Sequence, residues 1–404
     1  LSPSHDGTVT TAVPELTFAI FVLLAVIFYI KYRQSGKAKN FWTSAVLYFL
    51  AVLSKEPAAL LPLIFILIDW RLFGMGIKDF FNLKEIKQYL VFAGFLIIYL
   101  LMRFAVLGSV VAEGPAAHFS FAERIYGFLF LFGRYLGKLL YPWPLVFFYR
   151  TDLSLNFLNP RFLLNIVLVA AFFYLFFLNR KINFLFFAFV WVMIFLLPVL
   201  IFLGATGEGM FSERYLFLPA VGFAVFLGYT FDVFWQKGGR IKTAASLFLI
   251  VLMAVSWLIV FQRNFDWKDN ETMYKKTLSQ NPDANPIRFN YGVLLRNEKR
   301  DFEKAKEQFE EIARRKPDWS DIPMVYLHLG DYYLNKNDEN KAVEYYEKSA
   351  TASLDWKTSF AYNRLGVLYA KKEDYPKALI YFCQAAVSNP DLAENKANFD
   401  KALS

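Results

Sequence analysis

The sequence is poor in the residues from which many catalytic centres are made. Its 404 residues hold one cysteine, Cys383, so no intrachain disulfide can form. There are three histidines, His5, His118 and His328. Without an HExxH, a CxxC or a His-rich tract, a zinc centre is not expected, and no metal ligand is assigned. No GxxxxGK[ST] and no GxGxxG occurs, which removes the common phosphate-cradling nucleotide loops. Ser54 and Ser212 have no histidine near them in sequence, so neither reads as a hydrolase nucleophile. The chain opens on Leu1 rather than Met, with no basic segment before its first apolar run. A sequence truncated at its N-terminus is the expectation.

What the chain has in excess is apolar and aromatic surface. Hydrophobic residues make up 56% and aromatic residues 19%, with 46 Phe. That load exceeds what a water-soluble core of this size takes up, so much of it must face lipid. Charge is uneven. Residues 1–261 hold about 21 Lys/Arg against about 12 Asp/Glu, whereas residues 262–404 hold about 23 of each. The net charge of +9 therefore belongs to the apolar part. Basic loops that orient a membrane protein account for it without nucleic acid.

Apolar runs predict spans at 14–32, 41–54, 57–71, 89–107, 160–178, 184–203, 215–235 and 243–261. Ser54-Lys55-Glu56-Pro57 interrupts the second and third. Pro57 suits the first turn of a new helix and would break a continuous one, so the pair reads as a hairpin with a charged tip. Lys31, Arg33, Lys37 and Lys39, then Arg71, Lys78, Lys84 and Lys87, then Arg180 and Lys181, then Lys237, Arg240 and Lys242 follow alternate spans. Placing these loops inside satisfies the positive-inside rule and leaves everything after Phe261 outside. This holds if residues 121–142 do not cross. Their Glu123, Arg124, Gly127, Arg134 and Lys138 fall within an arc of about 100° on a helix. A spanning form would have to turn that stripe to a cavity. A surface or re-entrant form is preferred because it keeps the charge rule.

The last third is periodic. Gly292, Gly330 and Gly366 each follow an apolar residue, with Leu295, Tyr333 and Tyr369 three positions on. Ala305, Ala342 and Ala378 follow, then Phe309, Tyr346 and Phe382 four residues later. Small residues where paired helices touch, recurring every 36 to 38 residues, give the tetratricopeptide pattern. Residues 267–281 read as an extra helix beneath the first unit and 391–404 as a polar capping helix. The fold class expected is all-α: a polytopic transmembrane bundle, 1–261, then a soluble repeat solenoid, 262–404, on the exoplasmic side. The repeats are either a concave face for protein or peptide partners or a rigid spacer. Cys383 is expected to be a small packed side chain.

Charges at the outer ends of the spans are the informative residues, because lipid penalises them. Lys55, Glu56, Arg103, Arg124, Glu213 and Arg214 collect there in this topology. They either pair with each other, Lys55 with Glu213 for instance, or hold an anion such as a lipid phosphate. Asp69 and Asp232 read as interface charges, and His118 as solvated.

Lys55-Glu56-Pro57 at a hairpin break, then Glu213-Arg214-Tyr215-Leu216-Phe217-Leu218-Pro219-Ala220-Val221-Gly222 opening a span, then Arg263, Trp267 and repeats, form a combination that resembles one family. It is similar to multipass proteins with C-terminal tetratricopeptide repeats related to protein O-mannosyltransferases, of the GT-C glycosyltransferase superfamily. Ser2-Pro3-Ser4-His5 and Glu15-Leu16 are looser likenesses, and the family's acidic loop residue meets Gly7, beside Asp6. The resemblance implies transfer of a sugar from a polyprenyl-phosphate donor to a protein or glycan acceptor at the outer face. It implies that Lys55 and Arg214, then Arg103, Arg124 and Arg134, hold the lipid phosphate, with Glu56 and Glu213 as supporting acids. The general base would lie upstream of Leu1, and any divalent metal is left open. The expected location is a bacterial cytoplasmic membrane. A polysaccharide ligase or polymerase would want a larger exoplasmic loop. A non-catalytic membrane anchor displaying a repeat scaffold is the alternative, and it has no use for charges at membrane depth.

Overall fold

The computed structural model describes residues 12–108, 119–149, 155–201, 210–352 and 356–403. Among them there are helices, turns and irregular chain, and no strand. The chain divides into two compact units at Phe265–Asp266.

The first unit begins with α1 (Ala12–Ser35) and α2 (Ala38–Ser54), then a 3-10 turn, Glu56–Leu60, leading into α3 (Leu61–Arg71). Pro57 lies in the first turn of that arm, where its missing N–H costs nothing. The short α4 (Ile77–Phe80) and long α5 (Leu83–Leu107) follow. Phe92 of α5 is fully buried and centres an aromatic core with Phe65, Phe41, Tyr48 and Tyr29. Ser44 Oγ donates to the Ala25 carbonyl at 2.8 Å, tying α2 to α1 without leaving a hydroxyl unpaired in an apolar interior.

The rest of this unit is α6 (Phe121–Leu140), α7 (Pro160–Asn179), α8 (Asn183–Ile201), a 3-10 turn Glu213–Leu216, α9 (Phe217–Gln236) and α10 (Gly239–Asp266). Among the described residues, six helices are long and apolar enough to cross a membrane: Pro14–Ser35, Leu83–Leu107, Pro160–Asn179, Asn183–Ile201, Glu213–Gln236 and Gly239–Asp266. The apolar stretch of the last has no buried residue, so its side chains suit lipid on every side. The arms of the hairpin, α2 and α3, are shorter. Gly222 is required where α9 meets α8. A Cβ there would stand 2.7 Å from the Ala188 carbonyl oxygen and 2.9 Å from Trp191.

The amphipathic helix α6 does not lie apart on a surface. It packs beside α7, and the two run in the same direction. Tyr126 stacks on Phe162 at 4.3 Å, Asn165 Nδ2 donates to the Phe130 carbonyl, Gly133 touches Asn165, and Gly137 touches Leu168. The chain after α6 turns back, because Tyr126 Oη donates to the Asn156 carbonyl just before α7 begins. The helix and its return loop therefore make no net crossing. Irregular backbone at membrane depth is tolerable only where protein encloses it.

The second unit contains α11 (Asn270–Gln280) and three helix pairs. These are α12 (Asn285–Asn297) with α13 (Phe302–Arg315), α14 (Ile322–Asn335) with α15 (Glu339–Thr351), and α16 (Thr358–Lys371) with α17 (Tyr375–Ser388). The mostly exposed α18 (Ala393–Leu403) closes the array. An Asp N-cap starts each second helix, Asp301, Asp338 and Asp374 accepting from backbone three residues on. Each motif glycine faces the aromatic ring of its own partner helix. A Cβ at Gly292, Gly330 or Gly366 would meet Phe309, Tyr346 or Phe382 at 2.8, 2.5 and 2.6 Å. Ala305, Ala342 and Ala378 are buried at the same contacts. Cys383, expected to be packed, is exposed. Phe382 takes the inward position, and the next residue sits about 100° round the helix, on the outside.

His328 is buried between the rings of Phe289 and Phe309. Its Nδ1 lies 2.6 Å from Arg296 Nη1; arginine can only donate, so Nδ1 is the acceptor. Burial, with Arg296 and Arg364 adding repulsion, pushes the imidazole down to about 3. Asp331 gathers Arg296 (3.3 Å), Tyr346 Oη (2.8 Å) and Arg364 (3.3 Å), linking all three pairs.

Two stability predictions follow from these contacts. Gly330→Ala should gain helix propensity yet lose about 1–3 kcal/mol overall. The Tyr346 ring is pinned by Asp331 and cannot move away. A lower denaturation midpoint for the repeat unit checks this; an unchanged or raised one contradicts it. For His328, the unfolded chain takes up a proton below the ordinary value of 6.5, which the folded chain refuses until about pH 3. Stability should therefore fall as pH drops through that window, and His328→Phe should flatten this part of the profile.

Candidate functional site

The 3-10 turn Glu213–Leu216 joins two halves of a charged cluster at one end of the bundle. Arg214 and Tyr215 face the hairpin side. Lys55 pairs with Glu15, which is almost wholly buried, and Arg214 Nε stands 3.9 Å from the same carboxylate. The Tyr215 ring lies beneath both cations, 4.9 Å from Lys55 Nζ and 5.3 Å from the Arg214 guanidinium carbon. Beside them Arg103 holds Glu56 at 2.6 Å and donates to Tyr99 Oη.

Glu213 faces the α6 side. It bonds with Tyr149 Oη and stands 3.7 Å from Lys138 Nζ. The Arg134 guanidinium lies over the rings of Phe211 and Tyr149 at 4.3 and 4.9 Å. Lys138 reaches the Pro144 carbonyl, and Arg263 Nη1 donates to the Leu145 carbonyl at 2.9 Å. These bonds fasten the return loop over the polar stripe of α6. The part of the stripe at Arg134 and Lys138 is thus covered by protein, whereas Arg124 at its start stays exposed.

The expected partner of Lys55 was Glu213; the structure gives it Glu15 instead. Glu213 is one residue before Arg214 on a tight turn, so its side chain is directed to the opposite flank, toward Lys138. Of the proposed phosphate ligands, Lys55, Arg214, Arg103 and Arg134 are gathered around this turn. Arg124 is not. It donates to the Phe119 carbonyl at the start of α6, beside Leu200 and Ile201. Lys138 and Arg263, singled out above only as part of the α6 stripe and of the resemblance, belong to the cluster, and so does Tyr149, which no sequence signal marks. His118, His5 and Asp6 lie outside the described residues.

A second charged group sits at the other end of the same helices. Asp69, treated above as an interface charge, is completely buried. It accepts from Tyr29 Oη at 2.6 Å and also bonds with Tyr89 and Arg33, which in turn holds Glu85 at 2.7 Å. Glu15 and Arg33 are 18 residues apart on α1, roughly 27 Å along the helix. The two clusters thus mark its opposite ends. Asp232, by contrast, only accepts from Gln236 on its own helix.

Comparison with known proteins gives the same architecture. The tetratricopeptide repeat family matches residues 325–355 and 361–392. Protein O-mannosyl-transferase Tmtc2 of Drosophila melanogaster is 32% identical over 111 residues, which is 28% of this chain and 12% of that protein. Protein O-mannosyl-transferase TMTC3 of Homo sapiens is 30% identical over 138 residues, 33% of this chain and 14% of that protein. Protein O-mannosyl-transferase Tmtc1 of Drosophila melanogaster is 34% identical over 74 residues, 18% of this chain and 9% of the other. The matched stretches thus span about an eighth of the relatives' length. The chain is a multipass membrane protein with C-terminal tetratricopeptide repeats, and it resembles the protein O-mannosyl-transferases over part of its length.

Removing Asp69 should leave Arg33 buried without its closest counter-charge. Asp69→Ala is expected to destabilise the membrane unit by about 3–5 kcal/mol. The double variant Arg33→Leu/Asp69→Leu should recover much of the loss. Thermal unfolding of detergent-solubilised protein compares the two; equal damage in both would show that the ion pair is not what matters.

Proposed function

We propose that this chain is the bundle and repeat portion of a GT-C-type glycosyltransferase, using a polyprenyl-phosphate sugar as donor and a protein or glycan hydroxyl as acceptor. The observation that carries this is the gathering of Lys55, Arg214, Arg103, Arg134 and Lys138 about one turn at the end of an apolar bundle. A phosphate leaving from a lipid carrier develops negative charge at the membrane boundary. Preplaced guanidinium and ammonium groups stabilise that charge most where water is scarce. The tyrosine rings under Lys55, Arg214 and Arg134 hold the cations in position without neutralising them. Glu15, Glu56 and Glu213 then orient the cations. The general base is assigned to none of them, since each is held against a cation.

With basic loops inside, the Glu213–Tyr215 turn and the repeats face outward from a bacterial cytoplasmic membrane, where the repeats would present a protein acceptor or partner. The similarity to protein O-mannosyl-transferases supports the transfer chemistry, and the repeats support a protein partner.

In the full-length protein, Arg214→Ala and Lys138→Ala should each lower kcat/KM for a polyprenyl-phosphate sugar by about 100-fold or more. The repeat unit should stay folded. Unchanged turnover in both would remove the phosphate site and leave a repeat-bearing anchor as the better reading. A membrane-impermeant thiol reagent should label a cysteine placed at Asn337, in a Cys383→Ser background, on intact spheroplasts; labelling only after lysis would invert the orientation.

A further inference from the structure

The three repeats are copies of one structure, so each is a control for the others. Aligned on Ala305, Ala342 and Ala378, the outer face of the second helix carries four positions two before and two, five and nine after the alanine. In the first unit they are Glu303, Glu307, Glu310 and Arg314; in the second, Asn340, Glu344, Glu347 and Thr351. In the third they are Pro376, Ile380, Cys383 and Val387. All four third-unit residues are exposed, Ile380 by 56% and Val387 by 76%. A face that is charged and polar twice is apolar once.

The second unit says what does not cover this face. It is flanked by helix pairs on both sides, yet Asn340, Glu344, Glu347 and Thr351 remain exposed. Stacking of another repeat would therefore leave the third unit's stripe bare as well. A bilayer fits poorly. The neighbouring units present Glu303, Glu307, Glu344 and Glu347 on the corresponding face, and anionic headgroups repel such rows. The spacing of 4, 3 and 4 residues is that of a two-helix seam, in which alternate apolar side chains meet a like helix. Lys377 and Gln384 border the stripe, so two such stripes can meet with no acidic pair opposed.

We propose that Pro376, Ile380, Cys383 and Val387 form a self-complementary seam through which two copies of this chain pair, with the Cys383 thiols close to the axis. One 14-residue helix buries less than the ~1,000 Å² of a stable soluble interface. The pairing therefore depends on confinement of both copies to one membrane, which raises their effective concentration.

The test uses the full chain in nanodiscs large enough for two copies. Because Cys383 is the sole cysteine, a short bis-maleimide can report only this contact. A linked dimer is expected. It should be lost in Cys383→Ser/Glu347→Cys, which moves the thiol to the equivalent place one unit earlier. It should also be lost in Ile380→Glu/Val387→Glu. Glutamate already occupies the position of Ile380 in the other two units, so helicity and melting temperature should be kept. Equal linkage at position 347, or linkage that survives the two glutamates, overturns the seam. So does quenching of a fluorophore on Cys383 by lipid-borne nitroxides that the glutamates abolish while no dimer forms, which would assign the stripe to lipid.

Discussion

The cost of placing charge where water is scarce organises the membrane unit. Each ion in the apolar bundle must be paired, stacked on a ring or brought to a boundary. The charges accordingly collect at the two ends of the same helices. Glu15, Lys55 and Arg103 lie at one end, and Arg33, Asp69 and Glu85 at the other. Between them the core is aromatic and aliphatic, centred on Phe92. The same constraint explains α6. A helix with Arg134 and Lys138 on one face cannot present them to lipid, so the chain folds back and covers that face with Tyr149 and the loop carbonyls.

The two ends differ in a way that bears on function. At the Asp69 end the ions are locked by tyrosine hydroxyls and a second carboxylate around a fully buried Asp69, which suits fastening three helices. At the Glu213 end, cations rest on the faces of Tyr215, Tyr149 and Phe211 as well as against carboxylates. Stacked cations keep their charge, which is what the proposed phosphate site requires.

Much of the architecture was legible because it rests on local rules. Pro57 marks the start of a helix from its own geometry, and long apolar runs mark spans by length. The Gly-Ala-aromatic register of the repeats is legible because a ring sits where a Cβ would be, as the contacts of Gly330 and Tyr346 show. What was not legible is pairing across the bundle. Lys55 could equally have met Glu213; only the direction of a 3-10 turn decides that it meets Glu15. Asp69 looked like an interface charge because its partners, Arg33 and Tyr89, lie 36 and 20 residues away on other helices. Cys383 looked buried because the pattern fixes Phe382 and not its neighbour.

The most direct test of the account is to locate a bound lipid phosphate. A short-chain polyprenyl phosphate carrying a photoreactive group next to the phosphate would be cross-linked to the full-length protein in nanodiscs. Labelled peptides would then be mapped by mass spectrometry. The account predicts labelling in the segments around Arg134–Tyr149 and Phe211–Tyr215, competed by unlabelled polyprenyl phosphate. Labelling confined to the Asp69 end, or spread over the lipid-facing helices without competition, would contradict it.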